Sequence, residues 1–399
     1  MGNWKQVKIG DICKTNAQAY SVSENWPFVN YLDTGNITEN RIEGFQRIEL
    51  VNSSLPSRAR RKVAVNDIIY STVRPNQRHY GIIKKMLPNM LVSTGFTVIT
   101  VDTKFADADF LYYFLTQNDI VNSLHAIGEQ SVSAYPSIKS KDIENLEIML
   151  PPLKIQKEIG RTLQALDDKI ANNTRINHHL EQMAQAIFKS WFVDFEPFGG
   201  TCPTHWTHGN LTDIANYLNG LAMQRFRPLP GEKGLPVLKI KELRQGACDS
   251  ASELCSPNIR ADYLVHDGDV IFSWSGSLLV DFWCGGDCGL NQHLFKVTST
   301  TYDKWFYYAW THHHLARFVA MAADKATTMG HIKRDALENA EVLIPDAEEY
   351  CRLGTILAPL YEQVVNNRIE CRRLAELRDT LLPRLMSGEL SVADIGDGK

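Results

Sequence analysis

The side chains best suited to bind another molecule lie in a polar loop that follows a predicted strand. This loop carries Arg74, Gln77 and Arg78, and it ends at Gly81. Arginine and glutamine can each form two hydrogen bonds with the edge of a guanine or an adenine in the DNA major groove. A solvated polar loop is the alternative interpretation. The residue types and their spacing predict a loop that contacts DNA bases.

Two further loops carry candidate DNA contacts. Each leads into a predicted strand that precedes a long helix, and each combines hydroxyl groups with a lysine. Lysine side chains commonly bind backbone phosphates, whereas hydroxyl and imidazole groups can contact bases. An ordinary connecting loop is the alternative. The candidates are Ser137 and Lys139 in the stretch 131–139, and Lys325, Thr327, Thr328, His331 and Lys333 in the stretch 325–334.

Metal and catalytic sites are not expected. Cys284, Cys288 and His293 are close in sequence, but the spacing lacks the second ligand pair of a structural zinc site. The sequence contains no phosphate-binding G-x-x-x-x-G-K-[ST] loop, no Asn-Pro-Pro-Tyr-like adenine methyltransferase motif and no glycine fingerprint for a methyl donor. We therefore predict a chain that binds no metal or cofactor and has no catalytic residues.

Composition and charge limit the class of protein. The chain has 399 residues and a formal net charge of −4, which argues against a simple basic protein that coats DNA. Its eight cysteines are irregularly spaced, as expected of free thiols in a reducing cytoplasm. No signal peptide or apolar run long enough to span a bilayer is recognisable. A cytoplasmic protein of two or more domains is predicted.

The chain is an internal repeat. The segment Asp67–Ser71 matches Asp269–Ser273 at a shift of 202 residues, and Ile138-Lys139 matches Ile332-Lys333 at a shift of 194. The shift of 194 continues from Asn172-Asn173 to Asn366-Asn367. One small net deletion explains the change in shift. A duplicated architecture follows.

The duplication predicts a second candidate loop that contains Ser273, Trp274 and Ser275. The corresponding stretch of the first repeat contains arginines instead. Different side chains at the same place are expected if the two repeats recognise different DNA sequences. Trp274 could instead be an ordinary core residue.

Each repeat has a β-rich part followed by a long helix that begins after proline, at Pro151-Pro152 and at Pro345. Strands are predicted at 63–71 and 96–101, and short helices at 109–118 and 304–314. In the long helices, apolar residues recur at alternating steps of four and three, from Ile159 to Trp191 and from Leu353 to Leu385. This period is typical of a coiled coil. We predict an internally duplicated α+β fold with two β-rich lobes and two helices of roughly 40 residues that pair as an antiparallel coiled coil, with pseudo-two-fold symmetry.

Asn173 and Asn367 occupy equivalent seam positions in the two helices. A buried asparagine in a seam lowers stability but fixes the register of the helices. We therefore expect both asparagines to help set the alignment. Solvation of both side chains at a frayed seam is the alternative.

Segments of both long helices and of the second lobe resemble a known family. The segment Leu166–Asn177 and the motif Met183–Phe195 closely resemble the central conserved helix of Type I restriction-modification DNA specificity subunits, and 374–390 is similar to their distal conserved helix. The second lobe, with 269–277, 290–297 and 325–333, is similar to a target-recognition domain of that family. Gln292, in the second of these segments, joins the candidate DNA-binding residues.

The resemblance implies a bacterial or archaeal protein without catalytic activity of its own, which recognises an interrupted double-stranded DNA site through two target-recognition domains. Two adenine methyltransferase subunits and motor-nuclease subunits would be its partners, and these would bind S-adenosylmethionine, ATP and Mg²⁺. The expected divisions are target-recognition domains at 1–150 and 204–345, a central helix at 151–197, a distal helix at 346–388 and a tail at 389–399. A methylation-only or related restriction system, or a two-lobed adaptor that binds proteins, would be the alternatives.

Overall fold

Strands form where β-branched and aromatic residues run between turns. The computed structural model describes residues 4–51, 53–131, 135–324 and 331–396. The strand predicted at 96–101 is confirmed, and its first four residues are buried. The predicted run 63–71 is a strand only from Ile68 to Ser71, because Asn66 adopts a left-handed conformation (φ 69°) in a turn that precedes it.

The first lobe comprises residues 4–150. Its strands are β1 (Lys5–Lys8), β2 (Cys13–Thr15), β3 (Phe28–Leu32), β4 (Ile37–Thr38), β5 (Arg41–Ile42), β6 (Gln46–Glu49), β7 (Ala59–Lys62), β8 (Ile68–Ser71), β9 (Tyr80–Ile82), β10 (Met90–Ser93), β11 (Phe96–Val101) and β12 (Glu147–Leu150). Its helices are α1 (Ile9–Ile12), α2 (Ala108–Thr116), α3 (Asn118–Glu129) and α4 (Ser140–Glu144). The long helix α5 (Leu153–Phe192) follows.

The second lobe comprises residues 204–345. Its strands are β13 (Thr207–Asn210), β14 (Asn216–Asn219), β15 (Leu235–Leu238), β16 (Leu254–Cys255), β17 (Leu264–Val265), β18 (Val270–Ser273), β19 (Leu279–Phe282), β20 (Cys288–Leu290), β21 (Leu294–Thr298) and β22 (Glu341–Ile344). Its helices are α6 (Leu211–Ile214), α7 (Ile240–Gln245), α8 (Lys304–Asp324) and α9 (Arg334–Glu338). The long helix α10 (Ala347–Met386) and the short helix α11 (Val392–Gly396) complete the described chain.

The two lobes have the same sheet topology, which confirms the duplication. The first lobe contains sheets of order β2-β11-β8-β9 and β6-β3-β10-β7, and the second contains β14-β21-β18-β19 and β16-β15-β20-β17. The latter sheet of each lobe has a parallel pair at the same place, β3 with β10 and β15 with β20. The first and last strands of each lobe also pair, β1 with β12 and β13 with β22.

The predicted helices are present. The segment predicted at 109–118 is α2, whereas the one predicted at 304–314 continues to Asp324 as α8. Helices α5 and α10 begin one or two residues after the prolines, and each has 40 residues. Proline precedes them without penalty because the first amides of a helix have no intrahelical acceptor.

The chain divides into two compact units whose boundaries lie inside both long helices. One unit comprises the residues up to Asp168 together with those from Ala375 onward, and the other comprises Lys169–Leu374. In the first unit, Leu163 of α5 and Leu385 of α10 are fully buried in the core of the first lobe. In the second unit, Phe192 of α5 and Leu357 of α10 are buried in the core of the second lobe. The long helices therefore contribute to the lobe cores as well as to their own seam.

Within the second unit, α5 and α10 pair antiparallel through buried polar contacts. Asn367 Nδ2 donates to Asn177 Oδ1 at 2.8 Å, and Asn173 Nδ2 donates to Glu370 Oε2 at 2.6 Å. Asn173, Asn177 and Asn367 are at most 6% exposed. The expected burial of Asn173 and Asn367 is confirmed, but each bonds to a residue of the opposite helix other than its own counterpart.

Two further contacts reveal a local two-fold relation in this helix pair. Asn177 Nδ2 donates to the Val364 carbonyl at 3.1 Å, and Cys371 Sγ lies 3.7 Å from the Ile170 carbonyl oxygen. The repeat shift of 194 converts 170 into 364 and 177 into 371, so exchanging the helices converts one contact into the other. An asparagine amide in one helix thus corresponds to a thiol in the other.

We expect Cys371→Asn to raise the free energy of unfolding by about 1 kcal/mol, because an amide is a stronger donor than a thiol and the Ile170 carbonyl is already in place. Urea unfolding of the full chain measures the change. Cys351→Asn is the control, since Cys351 is exposed on the same helix and should give no change. A loss of stability in Cys371→Asn would contradict the two-fold relation.

Candidate nucleic-acid interface

The loop 72–78, called here the Arg74 loop, leaves β8 in a tightly bonded conformation. Ser71 Oγ donates to the Val73 carbonyl at 3.0 Å. Arg74 adopts a left-handed conformation (φ 48°, ψ 67°), a short 3-10 helix spans Pro75–Gln77, and Arg78 is again left-handed (φ 56°, ψ 34°). Left-handed backbone is unfavourable for residues with a Cβ atom, so surrounding contacts must hold this loop in place.

Those contacts come from the loop 135–139. The Arg74 amide donates to the Pro136 carbonyl at 2.8 Å, and the Ile138 amide donates to the Thr72 carbonyl at 2.8 Å. Val73 and Ser137 form an antiparallel bridge between these bonds. The two loops that sequence analysis selected in the first lobe therefore form one surface.

The candidate side chains on this surface differ in their surroundings. The Arg74 guanidinium lies over the Tyr135 ring, 4.6 Å from its centroid. Gln77 and Lys139 are exposed, and Ser137 is half-buried beside the bridge. Arg78 is turned back onto the lobe, where its guanidinium bonds to other side chains. These are Glu39 Oε1 at 3.2 Å, the Tyr80 hydroxyl at 3.4 Å and Asn118 Oδ1 at 2.6 Å.

The second lobe repeats this backbone arrangement with other side chains. Ser273 Oγ donates to the Ser275 carbonyl at 3.2 Å, which is the counterpart of the Ser71 bond. The Ile332 amide donates to the Trp274 carbonyl at 3.1 Å, and Ser275 forms an antiparallel bridge with His331. The second lobe thus also brings together the two loops selected from its sequence.

Trp274 is half-buried, so it is both a packing residue and part of an open cleft. Its ring centroid lies 5.7 Å from that of Phe295, and its Nε1 donates to Asn219 Oδ1 at 3.1 Å. The cleft has a volume of about 580 Å³ and includes the exposed Lys333 and His331 at its edge. An aromatic floor with a basic edge suits both base and phosphate contacts.

The hydroxyl of Ser275 leads into a short polar network. Ser275 Oγ lies 3.0 Å from His293 Nδ1, and Gln292 Nε2 lies 3.4 Å from His293 Nε2. Ser273 and Ser275 are buried, whereas Gln292 is partly exposed. Gln292 is therefore the member of this network that can reach a ligand. Lys325, Thr327 and Thr328 lie outside the described residues.

The cysteines considered for zinc are buried thiols. Burial raises the pKa of Cys284 to about 11, and its Sγ lies 3.8 Å from the Phe282 carbonyl oxygen. Burial, followed by the nearby Cys248, raises the pKa of Cys288 still further. Burial disfavours the charged thiolate form at both positions.

Among the described residues, the side chains of His205, Asp346 and Glu349 approach closely enough to share an ion. His205 and Asp346 are about half exposed. Trp206 Nε1 donates to the Glu349 carboxylate and so occupies one of its acceptor positions.

Sequence analysis missed the residues that hold the candidate side chains. Glu39 and Asn118 bind Arg78 from 39 and 40 residues away, and Asn219 binds Trp274 from 55 residues away. Phe295 packs on Trp274 from the neighbouring strand β21. Only the tertiary fold brings these residues together, so no local pattern could have identified them.

The described helices include none that is both long and apolar enough to cross a membrane.

Known proteins resemble this chain in sequence and in fold. A family model, Type I restriction modification DNA specificity domain, matches residues 1–182. The specificity subunit of the Type I restriction enzyme HindI from Haemophilus influenzae is 24% identical, over 98% of this chain and 100% of its own length. The MjaIX specificity subunit from Methanocaldococcus jannaschii is 28% identical, over 72% of this chain and 70% of its own. The crystal structure of a Type I restriction-modification S subunit from M. genitalium has the same fold, with a TM-score of 0.59, 15% identity and 96% coverage of both chains.

Proposed function

The chain belongs to the DNA specificity subunits of Type I restriction-modification systems, and on this premise we propose that it recognises an interrupted double-stranded DNA site and directs adenine-N6 methylation or restriction by partner subunits. One half of the site would be bound by each lobe. The chain itself would be non-catalytic and would act in the cytoplasm, where its DNA substrate lies.

The observation that supports this function best is one scaffold with two sets of side chains. Each lobe joins a loop after a buried strand to a second loop through an antiparallel bridge, Val73 with Ser137 and Ser275 with His331. The backbone is shared, but the first lobe has Thr72 and Arg74 where the second has Trp274 and Gly276. Base edges differ in their hydrogen-bonding groups, so different side chains on one scaffold select different sequences.

The long helices support the assignment of partners. Helices α5 and α10 keep exposed apolar residues outside their seam, such as Ile176, Met183 and Ile356, each at least 38% exposed. We infer that these side chains add apolar contacts where other subunits bind. We assign this role to two adenine methyltransferase subunits, which would bind S-adenosylmethionine, with motor-nuclease subunits binding ATP and Mg²⁺.

Genome-wide mapping of N6-methyladenine in the host, with the gene intact, deleted and restored, tests the function. Deletion should remove methylation from one interrupted motif, and restoration should return it, because recognition of that motif depends on this chain. The modification of other motifs serves as the control. If all motifs stay methylated in the deletion strain and the purified subunit complex also fails to select an interrupted duplex, the proposed function is wrong.

A further inference from the structure

Arg74 and Gly276 occupy the same place in the two lobes. Each follows a residue of the antiparallel bridge, Val73 in the first lobe and Ser275 in the second. Both have left-handed backbone, with φ of 48° for Arg74 and 65° for Gly276. Glycine adopts this conformation readily because it lacks a Cβ atom, whereas arginine adopts it at a cost in free energy. The first lobe therefore keeps an arginine where its own repeat shows that glycine suffices for the fold.

The Arg74 guanidinium is placed to bind a ligand. It lies over the Tyr135 ring, which is 56% exposed, with Cζ 4.6 Å from the ring centroid. A cation–π contact of this kind uses no carbonyl or carboxylate acceptor, so the N–H groups stay able to donate to a ligand. No carboxylate of the described residues lies within ion-pair distance of Arg74, so its charge is not neutralised there.

Arg78 has the opposite surroundings, although it belongs to the same loop. One terminal nitrogen bonds to Glu39 and the Tyr80 hydroxyl, and the other bonds to Asn118. Its charge is balanced by Glu39 at 3.2 Å. Three of its N–H groups are engaged with acceptors of the lobe, so two parallel bonds from Nη1 and Nη2 to a base would compete with these bonds. It is suited to hold the loop against the lobe.

We propose that Arg74 is the side chain that recognises a guanine in the half-site of the first lobe, and that Arg78 is a positioning residue for the Arg74 loop. This proposal rests on the proposed function. Guanine is the base concerned because its O6 and N7 atoms accept two parallel hydrogen bonds from one guanidinium. The second lobe, with Gly276 at this place, would have no equivalent contact.

Substitutions of Arg74 and Arg78 can distinguish a role in DNA recognition from a role in folding. Arg74→Gly installs the residue that the second lobe uses, so the loop should keep its conformation and the chain its thermal stability. Arg74→Lys keeps the positive charge but replaces the planar fork of two parallel donors by a compact ammonium group. Arg78→Ala removes the bonds to Glu39 and Asn118 and should loosen the loop without removing the Arg74 guanidinium.

The experiment is selection from a random DNA duplex library with the complex of the full chain and its methyltransferase, followed by sequencing. The wild-type complex should select an interrupted motif with a guanine in one half. Arg74→Gly and Arg74→Lys should each lower the preference for that guanine by about 5- to 150-fold and leave the other half-site unchanged. Replacement of that guanine by 7-deazaguanine, which lacks the N7 acceptor, should weaken wild-type binding but not binding by Arg74→Gly.

Arg78→Ala should instead lower the melting temperature and weaken selection at every position of the same half-site. The role of Arg74 is wrong if Arg74→Gly keeps the guanine preference, or if it weakens binding to all sequences equally, which would indicate a phosphate contact. The role of Arg78 is wrong if Arg78→Ala changes one base preference only. Failure of the wild-type complex to select any interrupted motif would instead contradict the proposed function itself.

Discussion

Replacing Phe192 by alanine is expected to lower the free energy of unfolding of the unit formed by Lys169–Leu374 by about 3–5 kcal/mol. Phe192 ends α5 and is 2% exposed. Its ring centroid lies 4.9 Å from that of Phe188 and 5.3 Å from that of Trp206. Removal of the ring would leave a cavity between the helix and the lobe, and the aromatic residues around it are themselves too well packed to close it.

Chemical unfolding of the full chain, followed by tryptophan fluorescence, measures this effect. Six of the eight tryptophans lie between residues 169 and 374, so the signal reports mainly on that unit. Val193→Ala is the matched control, because Val193 is the next residue and is 37% exposed, and it should change stability by less than about 0.5 kcal/mol. A loss below about 1 kcal/mol in Phe192→Ala would show that the end of α5 does not anchor the lobe.

The apolar period of the long helices does not predict what the ends of these helices pack against. The predicted seam runs to Trp191 and to Leu385, and both helices are indeed continuous over these residues. At their ends, however, Trp191 and Leu385 also pack in the lobe cores. A run of apolar residues at helical spacing is the same whether it meets another helix or a sheet, so the period alone could not separate the two.

The starts of the long helices could be predicted because they depend on local residues. The duplication could be predicted because matching residues recur along the sequence. Proline sets where α5 and α10 begin, and repeated residues such as Asp67 and Asp269 identify equivalent strands. The candidate loops could also be selected, since polar residues after a buried strand are a local signal. The different surroundings of Arg74 and Arg78 could not be predicted, because they depend on Tyr135 and on Glu39, which are distant in sequence.

Helix α10 contacts the second lobe through an ion pair that no sequence pattern indicated. Arg372 forms two parallel bonds with Asp267, from Nη1 to Oδ1 at 2.9 Å and from Nη2 to Oδ2 at 2.7 Å. Its Nη1 also donates to the Cys284 carbonyl at 2.9 Å. Both side chains of the ion pair are about three-quarters buried. Bidentate pairs of this kind are stronger than single charge-assisted bonds.

We expect Arg372→Ala to lower the free energy of unfolding at pH 7 by about 2 kcal/mol, since it removes both bonds from the guanidinium to the largely buried Asp267 carboxylate. Burial alone would raise the pKa of Asp267, but the bonds from Arg372 and from the Gly286 amide outweigh it and lower the pKa below its usual value. A carboxyl group with a lowered pKa stabilises the fold above its unfolded pKa of about 4, and this contribution is lost as the pH falls through the folded pKa.

The difference in stability between wild type and Arg372→Ala should therefore be largest near neutral pH and should shrink as the pH falls below about 4. Urea unfolding at a series of pH values measures it. Arg352→Ala provides the control, because Arg352 lies on the same helix but is 57% exposed and lies as far as 3.9 Å from its partner Glu349. This substitution should lower the free energy of unfolding by less than about 0.5 kcal/mol at every pH. A difference that stays constant from pH 7 to pH 3 would mean that Arg372 stabilises the helix by packing and not through the charge of Asp267.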